Sequence, residues 1–191
     1  MTTQTQSEHG GAGEGKTILT PAHSTALYLA GKIDRYDFRH DLVPGLRGNL
    51  WSGGPIVTST FSYVGPFFVS EDHTGMHGPN IHRAIGHEDT YRPITRRNVI
   101  ANNNTAIRKA DLILAFISKG ECYGTLCEIG QALALGKRVV MAFAPGIDAA
   151  DYWLSAMQCA AVYEAVRPCC LKDILANEIK KATAPIRRRA I

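Results

Sequence analysis

Glu128 is the residue of this sequence best placed to do chemistry. It follows Gly124 and Thr125 near the start of a predicted helix, after a loop that leaves an apolar strand. Free backbone N–H groups at a helix start can hold a phosphate or a sugar hydroxyl, so Gly124 and Thr125 are predicted to bind substrate. A carboxylate directed at a bound sugar can act as a nucleophile at the anomeric carbon, as in retaining glycosidases.

Two questions about Glu128 stay open in the pattern. A purely structural alternative is that Glu128 closes a capping box with Thr125, three residues before it. Its ionisation is also undecided. The helix dipole would lower the pKa of this carboxyl, whereas burial beside Ile129 and Leu133 would raise it.

Further polar residues follow the strands that should end at the same edge of the sheet as the loop before Glu128. Ligands bind at that edge in open α/β sheets. Basic residues after the first strand would favour a 5'-phosphate on the substrate; the alternative is that they lie on a solvated helix face. The residues predicted to bind substrate, besides Gly124 and Thr125, are Gly31, Lys32, Arg35, Arg39, His73, His77 and Ser118.

The loop after the second strand contains four histidines that invite a metal-site interpretation: His73, His77, His82 and His87. Glycines and a proline between them interrupt any helix that would bring them to one face, and no cysteine pair lies nearby at zinc spacing. We therefore predict no metal and no cofactor. The loop is predicted to cover the substrate instead, with one or two functional histidines.

The elements that must position these residues alternate between strand and helix patterns. This alternation predicts a single doubly wound five-stranded parallel sheet, flavodoxin/Rossmann-like in topology. The strand-like runs are Ala26–Ala30, Phe61–Val69, Leu112–Ile117, Val139–Phe143 and Ala160–Tyr163. Helices are predicted from Thr95 to Lys109, after Thr125 as far as Gly136, from Asp148 to about Ala160, and from Leu171 to Ala184.

With 191 residues, of which 45% are hydrophobic, the chain fits one α/β domain over residues 24–191. Residues 1–23 are polar and glycine-rich and are predicted to form a disordered arm. Gly10–Thr17 within this arm formally matches a phosphate-binding loop. Because polar residues precede it and Pro21 follows within a turn, we interpret this match as a coincidence.

The formal net charge of +4 is mild, and the basic residues are scattered apart from the three arginines Arg187–Arg189. This distribution suits a small molecule that carries a phosphate, and it argues against a nucleic acid polymer as partner. Five cysteines without a secretory signal predict reduced thiols and a cytoplasmic location. No apolar run approaches the length of a membrane span, so no membrane partner is expected.

Three blocks of the sequence, in this order, resemble the nucleoside 2-deoxyribosyltransferase superfamily, over roughly residues 25–145. They are Tyr28–Gly31, Ala110-Asp111 before a buried strand, and Gly124–Gly130 with Gly136-Lys137 behind it. That superfamily also contains 2'-deoxynucleoside 5'-phosphate N-hydrolases and pyrimidine-nucleotide N-glycosidases. The resemblance implies that Glu128 is the nucleophile, which forms a covalent deoxyribosyl-enzyme, and that Tyr28 orients it. It also implies a homodimer or a higher homo-oligomer.

One position departs from the pattern of that superfamily. Members commonly carry an aspartate that helps to protonate the leaving base, and the best match here is Asn103. An amide can hold a base or a sugar hydroxyl, but it cannot act as a general acid. Either Asp72, His73 or His77 supplies the proton, or the leaving base needs none, as with a cationic nicotinamide or a methylated base.

The prediction is therefore an enzyme that cleaves the N-glycosidic bond of a (2'-deoxy)nucleoside or nucleoside 5'-monophosphate, by base transfer or hydrolysis. One alternative is a TIR-like or phosphoribohydrolase-like glycohydrolase acting on NAD or a ribonucleotide. The phosphoribohydrolase pattern has Pro-Gly-Gly where this chain has Glu121-Cys122-Tyr123. The other alternative is a non-catalytic nucleotide sensor with the same crevice.

Overall fold

The computed structural model describes residues 24–33, 37–46, 55–67 and 96–183, which form one mixed sheet with helices. The sheet order is β2-β3-β1-β4-β5-β6. Neighbouring strands are parallel except at the edge, where β2 runs antiparallel to β3. The strands are β1 (Thr25–Gly31), β2 (Ile56–Val57), β3 (Phe61–Gly65), β4 (Leu112–Ile117), β5 (Arg138–Phe143) and β6 (Ala161–Tyr163).

The sheet differs from the predicted one at this edge, because it has six strands and is not wholly parallel. The unpredicted strand, Ile56–Val57, is too short to show an alternating pattern. It is joined to β3 by a turn in which the Thr58 hydroxyl donates to the Phe61 carbonyl at 2.8 Å. The strand predicted as Phe61–Val69 ends at Gly65. The predicted arm, residues 1–23, lies outside the described residues.

The helices flank the strands, but the helix predicted from Asp148 to about Ala160 is a 3-10 helix, Ala149–Tyr152, followed by an α-helix of only four residues, Trp153–Ala156. The α-helices are α1 (Arg39–Leu42), α2 (Arg96–Lys109), α3 (Tyr123–Ala134), α4 (Trp153–Ala156) and α5 (Leu171–Thr183). The predicted stop at Gly136 is confirmed, since this residue has φ +67°, a left-handed conformation that glycine adopts without strain just after a helix. Within the described residues, no helix combines the length and apolarity needed to cross a membrane.

Both faces of the central strand β4 are covered, which explains its uninterrupted apolar sequence. Leu114 faces a cluster that includes Leu175 of α5. The neighbouring Ile113 faces the opposite cluster, with Ile107 of α2 and Ile129 of α3. Each such fully buried side chain stabilises the fold by about 1.5–3 kcal/mol. The two helices α2 and α3 therefore lie on one face of β1 and β4.

A buried carboxylate joins α5 to the last two strands. Glu178 accepts hydrogen bonds from Arg138 at 2.6 Å, Tyr163 at 2.7 Å and Lys181 at 2.6 Å. Burial alone would raise the pKa of Glu178, but these three donors outweigh it and lower the pKa. A lowered pKa means that this cluster stabilises the fold above the ordinary pKa of glutamate, and that the contribution is lost as the pH falls through the folded-state value.

Candidate active site

The candidate site lies where the two central strands β1 and β4 end. From this point the chain connects β1 to β3 on one side and β4 to β5 on the other. Open α/β sheets leave a crevice at such a divergence, next to the carboxyl ends of the strands. Two loops approach each other here, since Lys32 Nζ after β1 lies 3.9 Å from Glu121 Oε2 after β4.

Glu128 is held at this crevice by residues from two other elements. The Tyr28 hydroxyl, from β1 and 100 residues away in the chain, donates to Glu128 Oε1 at 2.7 Å. Asn103 Nδ2, from α2, donates to the same oxygen at 3.2 Å. Both bonds go to Oε1, so Oε2 has no hydrogen-bond partner among the described residues. Within the described part of the chain, the carboxylate is thus oriented through one oxygen only.

The structural alternative for Glu128 is wrong. The N-cap of α3 is Cys122, which makes no side-chain cap bond, and Thr125 is already inside the helix. Glu128 is the sixth residue of α3 and lies in its second turn, beyond the reach of a capping box. Its side chain instead crosses to β1 and α2.

Tyr28 reaches Glu128 because of its position in β1 and a glycine in the neighbouring strand. Alternate residues of β1 face opposite sides, and Tyr28 faces the side covered by α2 and α3. Gly65 at the end of β3 has φ +152°. A Cβ atom at Gly65 would lie 3.1 Å from the Cβ of Ala106 and 3.3 Å from the Tyr28 ring. Glycine therefore lets β3, the tyrosine ring and α2 pack closely.

The electrostatic balance places Glu128 between two protonation states near neutral pH. Burial raises the pKa of Glu128 to about 7, although the Tyr28 hydroxyl, the Arg39 charge and the Asn103 amide each lower it. Burial, and then the Glu128 charge, raise the pKa of Tyr28 well above its ordinary value. The tyrosine thus keeps its proton and stays a hydrogen-bond donor to the carboxylate.

A small cleft, open to solvent, lies next to Asn103. It is formed between the end of β3 and α2. Its lining combines an apolar surface with two side-chain amides: Val64, Gly65, Pro66, Phe67, Asn102, Asn103 and Ala106. Asn103 lines this cleft and also donates a hydrogen bond to Glu128.

The two glycines predicted to bind substrate, Gly31 and Gly124, lie in different surroundings. A Cβ atom at Gly31, whose φ is +157°, would lie 2.9 Å from the Phe38 ring and 3.0 Å from the Phe116 carbonyl oxygen. Packing of the protein itself thus requires glycine at 31. Gly124 is exposed, and apart from its chain neighbours and the backbone of its own helix, no described heavy atom lies within 4 Å of a Cβ built there. No described residue thus fills the space at 124, which leaves room for a ligand to approach the backbone.

Thr125 and Ser118 lie at the same end of the sheet. Thr125 is buried in the first turn of α3, and Ser118 follows β4 directly and is partly buried. Lys32 is partly exposed beside the crevice. Of the predicted residues, the structure brings Tyr28, Asn103 and Glu128 into direct contact. Four others lie outside the described residues: Arg35, Asp72, His73 and His77.

Arg39 does not line the crevice as predicted. Its side chain is fully buried, and Nη1 contacts both carboxylate oxygens of Asp37, at 2.9 and 2.7 Å. Nε and Nη2 donate to the backbone carbonyls of Leu29 and Gly31, at 2.8 and 2.7 Å. The guanidinium thus ties the loop after β1 to the strand. Sequence analysis missed the role of Asp37, although the Asp-x-Arg spacing was a possible signal.

Tyr28→Phe tests how the Tyr28 hydroxyl affects the pKa of Glu128. The substitution removes a donor that lowers the pKa of Glu128, so this pKa should rise from its value of about 7. If the ionised carboxylate is the reactive form, the activity of Tyr28→Phe should appear at higher pH than that of wild type. The loss of activity relative to wild type should then be greatest below neutral pH. The measurement is the pH profile of kcat/KM for both proteins. An unchanged profile would contradict the role assigned to the Tyr28 hydroxyl.

No cluster of three or more histidine, cysteine, aspartate or glutamate residues suited to a metal occurs in the described part of the chain. The four loop histidines lie outside it. The structure defines the class as an α/β protein with a mostly parallel sheet and an oriented carboxylate beside a cleft. No protein-family model matches the chain, and no curated protein matches its sequence.

Proposed function

We propose that this chain cleaves the N-glycosidic bond of a (2'-deoxy)nucleoside or nucleoside 5'-monophosphate, by base transfer or hydrolysis, with Glu128 as nucleophile. The observation that carries the proposal is the fixed carboxylate of Glu128. Tyr28 and Asn103 hold Oε1, and no described residue donates a hydrogen bond to Oε2. A nucleophile requires this kind of orientation, because a correctly aligned attack supplies much of the rate enhancement.

The proposed reaction has two steps. Glu128 Oε2 forms a bond to the anomeric carbon while the bond from that carbon to the base nitrogen breaks, and the electron pair departs with the base. The product is a glycosyl ester of Glu128. In hydrolysis, water attacks the same carbon, releases the carboxylate and gives its proton to solvent. In transfer, a nitrogen of a second base takes the place of water.

The contacts of the sugar end are proposed from the same crevice. The open space at Gly124 and the free N–H groups at the start of α3 support a sugar hydroxyl or a phosphate there. Lys32 is a described cation at this mouth, and its 3.9 Å contact with the exposed Glu121 is loose. Because such an exposed pair contributes little stability, Lys32 can turn to a 5'-phosphate at small cost.

The doubly wound, flavodoxin-like topology belongs to this proposal. It is supported by the order β3-β1-β4-β5-β6 of the parallel strands and by apolar clusters on both faces of the sheet. A homodimer or higher homo-oligomer and a cytoplasmic location remain predictions from the sequence.

A non-catalytic nucleotide sensor is the second candidate, and the pKa of Glu128 favours it. With a pKa of about 7, a large fraction of this carboxyl is protonated at neutral pH. A protonated carboxyl can donate a hydrogen bond to a bound nucleotide, but it is a poor nucleophile. A sensor would bind nucleotides and release no base.

The test is an incubation of the protein with deoxynucleosides, ribonucleosides, their 5'-monophosphates and NAD, followed by chromatography for free base. The proposal expects free base from at least one of these classes. If deoxynucleosides are cleaved only when an acceptor base is added, the enzyme is a transferase. Tight binding of a nucleotide without any release of base would contradict the enzymatic proposal and favour the sensor.

A further inference from the structure

The two described side chains that contact the Glu128 carboxylate are unable to protonate a leaving base. Asn103 presents an amide, which has no acidic proton in the accessible range. Tyr28 is fully buried, directs its proton to Glu128 Oε1, and has a raised pKa. Glu128 itself cannot serve, because a carboxyl that holds the proton is not at that moment the nucleophile.

The described lining of the cleft next to Asn103 is also uncharged. None of the described side chains that line it is ionisable. The nearby guanidinium of Arg39 already contacts both oxygens of Asp37 in the core. Among the described residues, the ionised form of Glu128 thus has no cation paired with it at the cleft, and burial raises its pKa. A positively charged base bound near Glu128 and Asn103 would favour the carboxylate, since an opposite charge close by stabilises the ionised form.

From these two observations we infer that Asn103 selects the leaving group, and that the substrates are N-glycosides whose base is already cationic, such as N-glycosylpyridinium or N-alkylpurinium compounds. This inference rests on the proposed function. A neutral base departs as an anion unless it is protonated. A cationic ring takes the electron pair of the broken bond onto its nitrogen and departs neutral, so no acid is needed.

The inference predicts an effect of charge on the pH profile. The profile of kcat/KM reports the free enzyme, in which the pKa of Glu128 is about 7. The profile of kcat reports the complex, in which a cationic base bound near Glu128 and Asn103 lowers that pKa. With a cationic substrate, the rise of kcat should therefore occur at lower pH than the rise of kcat/KM.

The decisive experiment compares matched substrates with wild type and Asn103→Asp. One substrate carries nicotinamide as a cationic leaving group and the other carries a neutral pyrimidine, on the same sugar. Each kcat/KM is divided by the rate of uncatalysed hydrolysis of the same compound. Wild type should show an enhancement greater by at least about 10²-fold for the cationic substrate, the lower range of a general-acid contribution.

Asn103→Asp places a second carboxyl next to Glu128, so that the two share a proton and the new residue can donate it to a leaving base. It should raise kcat/KM for the neutral substrate by about 10²-fold, without a comparable gain for the cationic one. Asn104→Asp is the matched control, because it adds the same carboxyl to α2 at a residue outside the cleft lining. It should give no selective gain.

Two results would overturn this inference and leave the proposed function standing. One is an equal rate enhancement of both substrates by wild type. The other is an Asn103→Asp variant whose kcat/KM does not rise selectively for the neutral substrate. Such a result would assign the proton to another residue, for which the sequence offers Asp72, His73 and His77 as candidates. Failure of wild type to cleave either substrate would overturn the proposed function, and this inference with it.

Discussion

Replacement of Glu128 by glutamine is expected to reduce the release of free base by at least about 10³-fold, the scale seen when a catalytic nucleophile is removed. Glutamine keeps the size of the side chain and its capacity to accept from Tyr28 and Asn103, but it cannot form the glycosyl ester. The stability of the protein should change little, since the substitution removes a buried charge. The measurements are chromatographic assay of base release and thermal unfolding of both proteins.

Two controls make this experiment specific. Glu164→Gln removes an exposed carboxylate after β6 and should retain full activity. Glu128→Ala leaves a space that a small anion can enter, so added azide should restore base release and yield a glycosyl azide. Equal rates for wild type and Glu128→Gln would remove the enzymatic proposal, and failure of azide to restore any activity would argue for a role other than nucleophile.

The second large effect concerns the buried pair in the core. Asp37→Ala should lower the free energy of unfolding by about 3–5 kcal/mol, because it leaves the fully buried Arg39 guanidinium without its carboxylate. The substitution also removes the acceptor for the backbone N–H of Arg39 at the start of α1. The measurement is urea denaturation followed by circular dichroism.

A double variant separates this explanation from a general loss of packing. In Asp37→Leu/Arg39→Met both charges are replaced by apolar side chains, so part of the lost stability should return, while the Leu29 and Gly31 carbonyls lose the Arg39 donors. This variant remains informative if Asp37→Ala does not fold. A loss below about 1 kcal/mol in Asp37→Ala, or a double variant less stable than the single one, would contradict the account of the pair.

The fold was accessible from the sequence where apolar patterns are long. The continuous run in β4 and the glycine after α3 predicted the strand, the helix and the helix end. The edge strand Ile56–Val57 was not accessible, since two residues show no period and pairing with β3 depends on tertiary context.

The candidate site was accessible only in part. The sequence placed Glu128 at a crevice, and the resemblance added Tyr28 and Asn103, whereas the contacts among the three join β1, α2 and α3 and require the folded sheet. Arg39 was misassigned because local sequence does not show whether a cation is solvated or buried. That depends on the Asp37 carboxylate and on two backbone carbonyls at the end of β1.

The most direct test of the central claim is the mass of a trapped intermediate. A nucleoside with a 2-fluoro sugar forms the glycosyl ester but hydrolyses it slowly, because fluorine destabilises the oxocarbenium-like transition state. After denaturation and proteolysis, the account predicts one added fluoroglycosyl group, on the peptide that contains Glu128. A label on a different carboxylate, or steady turnover of that substrate with no labelled peptide, would contradict it.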